Sequence, residues 1–258
     1  MVSPQKLFRS LLTALARGGV PAVAAGLAGC TSLYFPPPPH VPLLTQKGEF
    51  YGSVSTNQQN NFAFQGAYAF ADHLAAAGTF SSLHRSNGDK TENFDFAEAS
   101  VGYFTRLSDK RVLEVYAGVG GGGTDRTERD AEQLTTRRLE GSLSKVFVQV
   151  NYASKKKTSL HLGHHDFPLS YGTALRLSYV QLNNFRIDGQ GQAPIGNVIF
   201  EPITFTRIQL AGPFQFQIMS GQAFGFHPND YLKAANSVFQ LGLIIGLGGS
   251  NSWKAGTQ

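Results

Sequence analysis

From Lys47 onward, apolar residues fall on every second position, the spacing that sends successive side chains to opposite faces of a strand. Phe62, Phe64, Gly66, Tyr68 and Phe70 alternate with Ala63, Gln65, Ala67 and Ala69. Val146, Val148, Val150 and Tyr152 alternate with Phe147, Gln149 and Asn151, and Leu175, Leu177 and Tyr179 with Arg176 and Ser178. The same beat runs through Phe214, Phe216 and Ile218, and again through Phe239, Leu241, Leu243, Ile245 and Leu247. Less regular strands are expected near 47–55, 73–84, 92–105, 111–121 and 197–208, for a total of about ten.

Turn residues separate these runs. Ala71-Asp72, Ser86-Asn87-Gly88-Asp89 and Ser108-Asp109 are short connections, while 122–137 and 220–235 read as long polar ones. Short turns alternating with longer loops predict an all-β chain: a single up-and-down antiparallel β-barrel over residues 47–249, with a flexible tail at 250–258. No internal repeat or second domain interrupts it.

Alternation leaves the sign open, because a soluble barrel buries its apolar rows and a membrane barrel turns them to lipid. The polar rows decide. They hold mainly Gln, Asn, Ser, Ala and Gly, with isolated charges at Glu114, Arg176, Glu201 and Arg207. A water-facing wall needs many Lys and Glu residues, whereas small neutral residues suit a narrow lumen in which the four charges pair. The membrane-embedded sign is therefore expected. The alternative is a periplasmic barrel with an apolar interior for a small hydrophobic molecule. The outward or inward direction of Phe214, Phe216 and Ile218 separates the two.

Composition sharpens this picture. Charged residues are 15% of the chain, against roughly 25% in soluble domains, while Gly and Phe are frequent at 29 and 20. A net charge of +5 without a basic stripe beyond Lys155-Lys156-Lys157 argues against nucleic-acid binding. At the front, Lys6, Arg9 and Arg17 precede a short apolar run from Val20 to Ala28, the layout of an export signal. The run ends in Leu27-Ala28-Gly29-Cys30, with Cys30 the single cysteine. This resembles the lipobox of bacterial lipoproteins. The resemblance implies a signal peptide at 1–29, diacylation of the Cys30 thiol and anchorage to membrane lipid. Pro36-Pro37-Pro38-Pro39, which cannot donate to a sheet, gives residues 30–46 the character of a lipidated, extended spacer lifting the barrel off the bilayer.

Two segments, 41–50 (Val-Pro-Leu-Leu-Thr-Gln-Lys-Gly-Glu-Phe) and 67–74 (Ala-Tyr-Ala-Phe-Ala-Asp-His-Leu), are similar to the start of small bacterial lipoproteins with an outer-membrane-type barrel. That resemblance covers mainly residues 30–80. It implies the outer membrane as location and brings no catalytic residues.

Candidate chemistry is thin. His161, His164 and His165, with Asp166, are the one dense group of metal-ligating types, but on a strand His164 points away from the other two. No metal or cofactor is expected. Gly118 to Gly123 lacks the Gly-Lys-Ser/Thr of a phosphate loop and reads as flexible chain leaving a strand. No Gly-x-Ser-x-Gly marks a serine nucleophile, and His73 reads as a turn residue beside Asp72. The expected role is non-enzymatic: structural, adhesive or small-pore.

Overall fold

The computed structural model describes residues 32–57, 60–108, 111–130, 132, 134–162, 165–232 and 236–248. Among them are eleven strands: β1 (Phe50–Thr56), β2 (Asn61–Ala71), β3 (Leu74–Asn87), β4 (Lys90–Ser108), β5 (Arg111–Arg129), β6 (Thr135–Leu162), β7 (His165–Ile187), β8 (Gln190–Gly191), β9 (Ile195–Ala211), β10 (Phe214–Gly225) and β11 (Asn236–Leu247). Each wall strand pairs antiparallel with its neighbours, β1 pairs with β11, and β6 with β7, so the sheet closes. β8 is a two-residue hairpin on β7 that stands apart from the ring. The wall is a closed, up-and-down barrel of ten strands. Closure leaves no open sheet edge, as the hydrocarbon of a bilayer requires.

The apolar rows point outward. Phe62, Phe64, Tyr68 and Phe70 on β2, Val146, Val148 and Val150 on β6, and Leu175, Leu177 and Tyr179 on β7 are exposed, and Val119 reaches 59%. Phe214 is exposed, and Phe216 and Ile218 share its side of β10, opposite the buried Gln217 and Met219. The rows that would line the apolar interior of a periplasmic binding barrel face outward instead. On β7 the outward row begins and ends in Tyr171 and Tyr179, eight residues and about 26 Å of strand apart. Aromatic residues flanking an apolar band are the pattern of a transmembrane wall.

The short connections lie at one mouth, where β1 begins and β11 ends. There Ala71 joins Leu74 through His73, held at φ 78° with its Nδ1 2.9 Å from the Phe104 carbonyl oxygen. Asp109 of the expected Ser108-Asp109 turn lies outside the described residues. The opposite mouth carries the 88–89 turn, Asp130 and Leu134 between β5 and β6, and the segment 226–232.

Three expectations change. Residues 122–137 are mostly strand, since β5 and β6 stay paired as far as Glu128↔Arg137. Beyond the apolar belt the outward residues become Asp95, Asp125 and Glu140, and on β5 the inward ones become Thr124 and Arg126, so both faces of β5 are polar there. Hydrophobic alternation vanishes while main-chain pairing continues. Likewise Gly118 to Gly123 lies inside β5, bonded on both sides to β4 and β6. Its inward glycines leave room for neighbours: a Cβ on Gly120 would come within 2.6 Å of the Phe96 ring, and one on Gly122 would strike the Asp95 carbonyl.

The largest departure concerns the proline segment. Residues 32–44 are buried apart from a half-buried Phe35. They run through the lumen as part of the barrel's core and form no spacer outside it. Thirteen residues of extended chain span about 40 Å, enough to pass from one mouth to the other. Gly48, at φ 83°, turns the chain back into β1 at the short-turn mouth.

Candidate functional site

The occupied lumen is where the polar side chains converge. A chain threaded through a closed barrel cannot pair with the wall's backbone, whose N–H and C=O groups are already spent on the sheet. Its own polar groups must be met by side chains. Four successive prolines reduce that demand, because they bring carbonyls but no N–H donors.

The wall supplies donors at nearly every level. At the long-loop mouth, Arg126 donates to the Ser32 carbonyl and Thr124 Oγ1 to that of Leu33 (2.9 Å). Lower down, Arg176 donates to the Pro37 carbonyl and Gln65 Nε2 to that of Pro38 (2.7 Å). Gln149 Nε2 and Asn151 Nδ2 both donate to the His40 carbonyl, at 2.6 and 3.1 Å, and Arg207 donates to that of Val41. Near the short-turn mouth the segment becomes the donor: the Leu44 N–H meets Glu114 Oε1 at 2.8 Å, and the Thr45 N–H meets Glu49 Oε2 at 2.7 Å.

Side chains of the segment anchor both ends. Leu33 and Tyr34 pack with Phe94, Phe96, Leu182 and Leu232. Leu44 packs with Tyr51, Phe104 and Tyr116, while Val41 and Leu43 meet Phe205 and Met219. The His40 ring stands edge-on to Tyr116, with centroids 4.6 Å apart.

Between these apolar pads sits a buried charge cluster. Arg176 is bound to Glu201, its cross-strand partner, and lies 3.2 Å from Glu98 Oε2. Lys145 Nζ lies 2.7 Å from Glu98 Oε1 and 3.7 Å from Glu201 Oε1, and donates to the Tyr34 hydroxyl at 2.9 Å. Two cations meet two carboxylates, so the cluster is neutral, as burial demands. A second group at the long-loop mouth joins Glu92 to Arg126 (2.7 Å), Lys90 (2.8 Å) and Arg85.

Glu114, Arg176, Glu201 and Arg207 all face the lumen, each at most 3% exposed. Only Arg176 and Glu201 pair with one another. Arg207 is taken by Gln217 Oε1 (2.6 Å) and the Val41 carbonyl, and Glu114 by Asn151 (2.9 Å) and Leu44. The threaded segment supplies partners where an empty lumen would need a cross-barrel pair. Sequence reasoning missed Glu98 and Lys145. Both were legible in phase: Lys145 alternates with the outward Val146, Val148 and Val150, and Glu98 falls in step with Phe94, Phe96 and Ser100. His164, and the side chains of His161 and His165, lie outside the described residues. Among the described residues no three His, Cys, Asp or Glu side chains cluster as a metal site.

The fold and this lumen define a class: a closed barrel of the outer-membrane type, filled by its own amino-terminal segment. No protein-family model matches the chain, and no curated protein matches it. Among solved structures it is similar to the translocator domain of autotransporter NalP from Neisseria meningitidis, with 11% identity, 76% of this chain and 86% of that chain covered, and a TM-score of 0.38. It is also similar to a mutant of the ferric enterobactin receptor PfeA from Pseudomonas aeruginosa (10% identity, TM-score 0.22) and to a chain of the FpvAI–pyocin S2 complex (8% identity, TM-score 0.22). It covers 77% and 79% of itself in those matches but only 42% and 40% of the two larger chains. These likenesses are of fold alone.

Proposed function

We propose that this chain is a lipidated outer-membrane β-barrel with a structural or adhesive role and no catalytic activity. The observation that carries the reading is the direction of the wall: apolar rows outward over a closed ring, polar rows inward. Its partners are membrane lipid, along the barrel exterior and through an acylated Cys30. The charged long-loop rim, where Arg138 bridges Asp125 and Glu140, is the surface it offers to others.

A small-pore role is disfavoured by the occupied lumen, and a ligand-binding role by its filled, partly charged interior. The test is membrane flotation after carbonate and urea washing, with Cys30→Ala alongside the native chain. Both float if the barrel is inserted. Release of Cys30→Ala into the soluble fraction would show that only the lipid held it. In planar bilayers the full chain leaves the baseline current unchanged; a steady conductance would restore the pore reading.

A further inference from the structure

The lumenal segment has a direction, and that direction fixes which mouth the front of the chain comes from. Ser32 and Leu33 are held at the long-loop mouth by Arg126, by Thr124 and by the Tyr231 carbonyl, which accepts from the Leu33 N–H at 2.8 Å. Thr45 and Gln46 are held at the other mouth, by Glu49 and by the Gly248 carbonyl (2.8 Å from Gln46 Nε2). β11 ends at that second mouth too. The chain therefore enters the barrel at one mouth and leaves it at the other.

In transmembrane barrels the short turns face the periplasm and the longer connections the exterior. We infer that the chain ahead of Ser32 joins the barrel from the external side, so that this is a lipoprotein whose acyl group sits in the outer leaflet. The placement of the lipid rests on the acylation of Cys30 proposed above; the external exit of the chain does not. Cys30 precedes Ser32 by two residues, about 7 Å of extended chain at most. That is far too short to return through the lumen to the opposite leaflet. Reaching the inner leaflet would mean withdrawing residues 32–45 from the barrel and stranding Arg176, Gln65, Gln149 and Arg207 without the carbonyls they hold.

The segment is fixed where it emerges. Arg126 reaches Ser32 while bound to Glu92, and Leu232, buried beside Leu33, folds over the same mouth with its carbonyl accepting from Asn197 (2.9 Å). The exit is thus part of the packed core.

The experiment uses the full chain in intact bacteria. A protease recognition sequence is inserted between Thr31 and Ser32, and separate variants carry Asp89→Cys in the long-mouth turn and Asp72→Cys in the short-mouth turn. Added protease is expected to cut the inserted site without permeabilisation. A membrane-impermeant maleimide should label Asp89→Cys directly and Asp72→Cys only after the envelope is opened, each read above the labelling of the native chain, whose Cys30 reacts if it carries no acyl group. Thr31→Cys, which inserts nothing, should label like Asp89→Cys. Cutting or labelling near residue 31 only after permeabilisation, or together with Asp72→Cys, would overturn the inference. Mass spectrometry of the amino-terminal peptide reads acylation separately: a bare peptide cut at the surface sinks the lipid and keeps the topology, while an acylated peptide protected in intact cells does the reverse.

Discussion

Leu175 and Arg176 are neighbours in the chain and occupy opposite environments. Leu175 stands 44% exposed on the outer wall, and Arg176 is fully buried against Glu98, Glu201 and the Pro37 carbonyl. The outer wall is specified by side-chain type alone, because lipid asks only for apolar surface. The lumen is specified by partners, since each buried polar group needs one of its own. A substitution outside is therefore judged by what it adds, and one inside by what it leaves unpaired.

That contrast can be broken in graded steps. Arg176→Ala leaves Lys145 as the one cation beside two buried carboxylates and takes the donor from the Pro37 carbonyl, and loss of one partner from a buried ion pair costs about 3–5 kcal/mol. Urea unfolding in detergent should show it as the largest loss of any single lumenal change, and a near-native midpoint would mean that the cluster is not buried as described. Leu175→Arg places a charge in the middle of the apolar belt, at a cost of about 2–4 kcal/mol in a bilayer. The cost should shrink in a water-soluble detergent scaffold, and an equal penalty in both media would argue that this face never meets lipid.

Gln65→Ala removes the donor to the Pro38 carbonyl, and the loss of one neutral hydrogen bond is worth about 1 kcal/mol. The sharper readout is local: amide exchange at Val41 and Leu44 should quicken while the wall strands stay protected. Arg138→Ala, on the exposed rim, should change the unfolding free energy by less than about 0.5 kcal/mol. A rim change as costly as a lumenal one would erase the distinction between the two regions.

The barrel was legible because its wall obeys a rule of period two, and the outward rows on β2, β6, β7 and β11 need no knowledge of their neighbours. The inward position of Glu114, Arg176, Glu201 and Arg207 follows from the same phase. Polar ends of β5 and β6 were not legible, since pairing there is carried by backbone bonds that leave no pattern in side-chain type. Pro36 to Pro39 were misread for a related reason. A proline run signals extended chain wherever it lies, and only the donors of five different strands along residues 32–41 show that it lies inside.

The amino-acid sequence by itself determined the strands, the closed all-β wall and the scarcity of charge on its outer face, because each is a local property repeated along the chain. Only the tertiary structure decided what fills the barrel and from which mouth the chain enters. Those facts depend on contacts between residues some 27 to 166 positions apart, such as Gln65 with Pro38 and Arg207 with Val41. A polar side chain can be assigned to a face by its phase, but its partner is chosen only when the ring has closed around it.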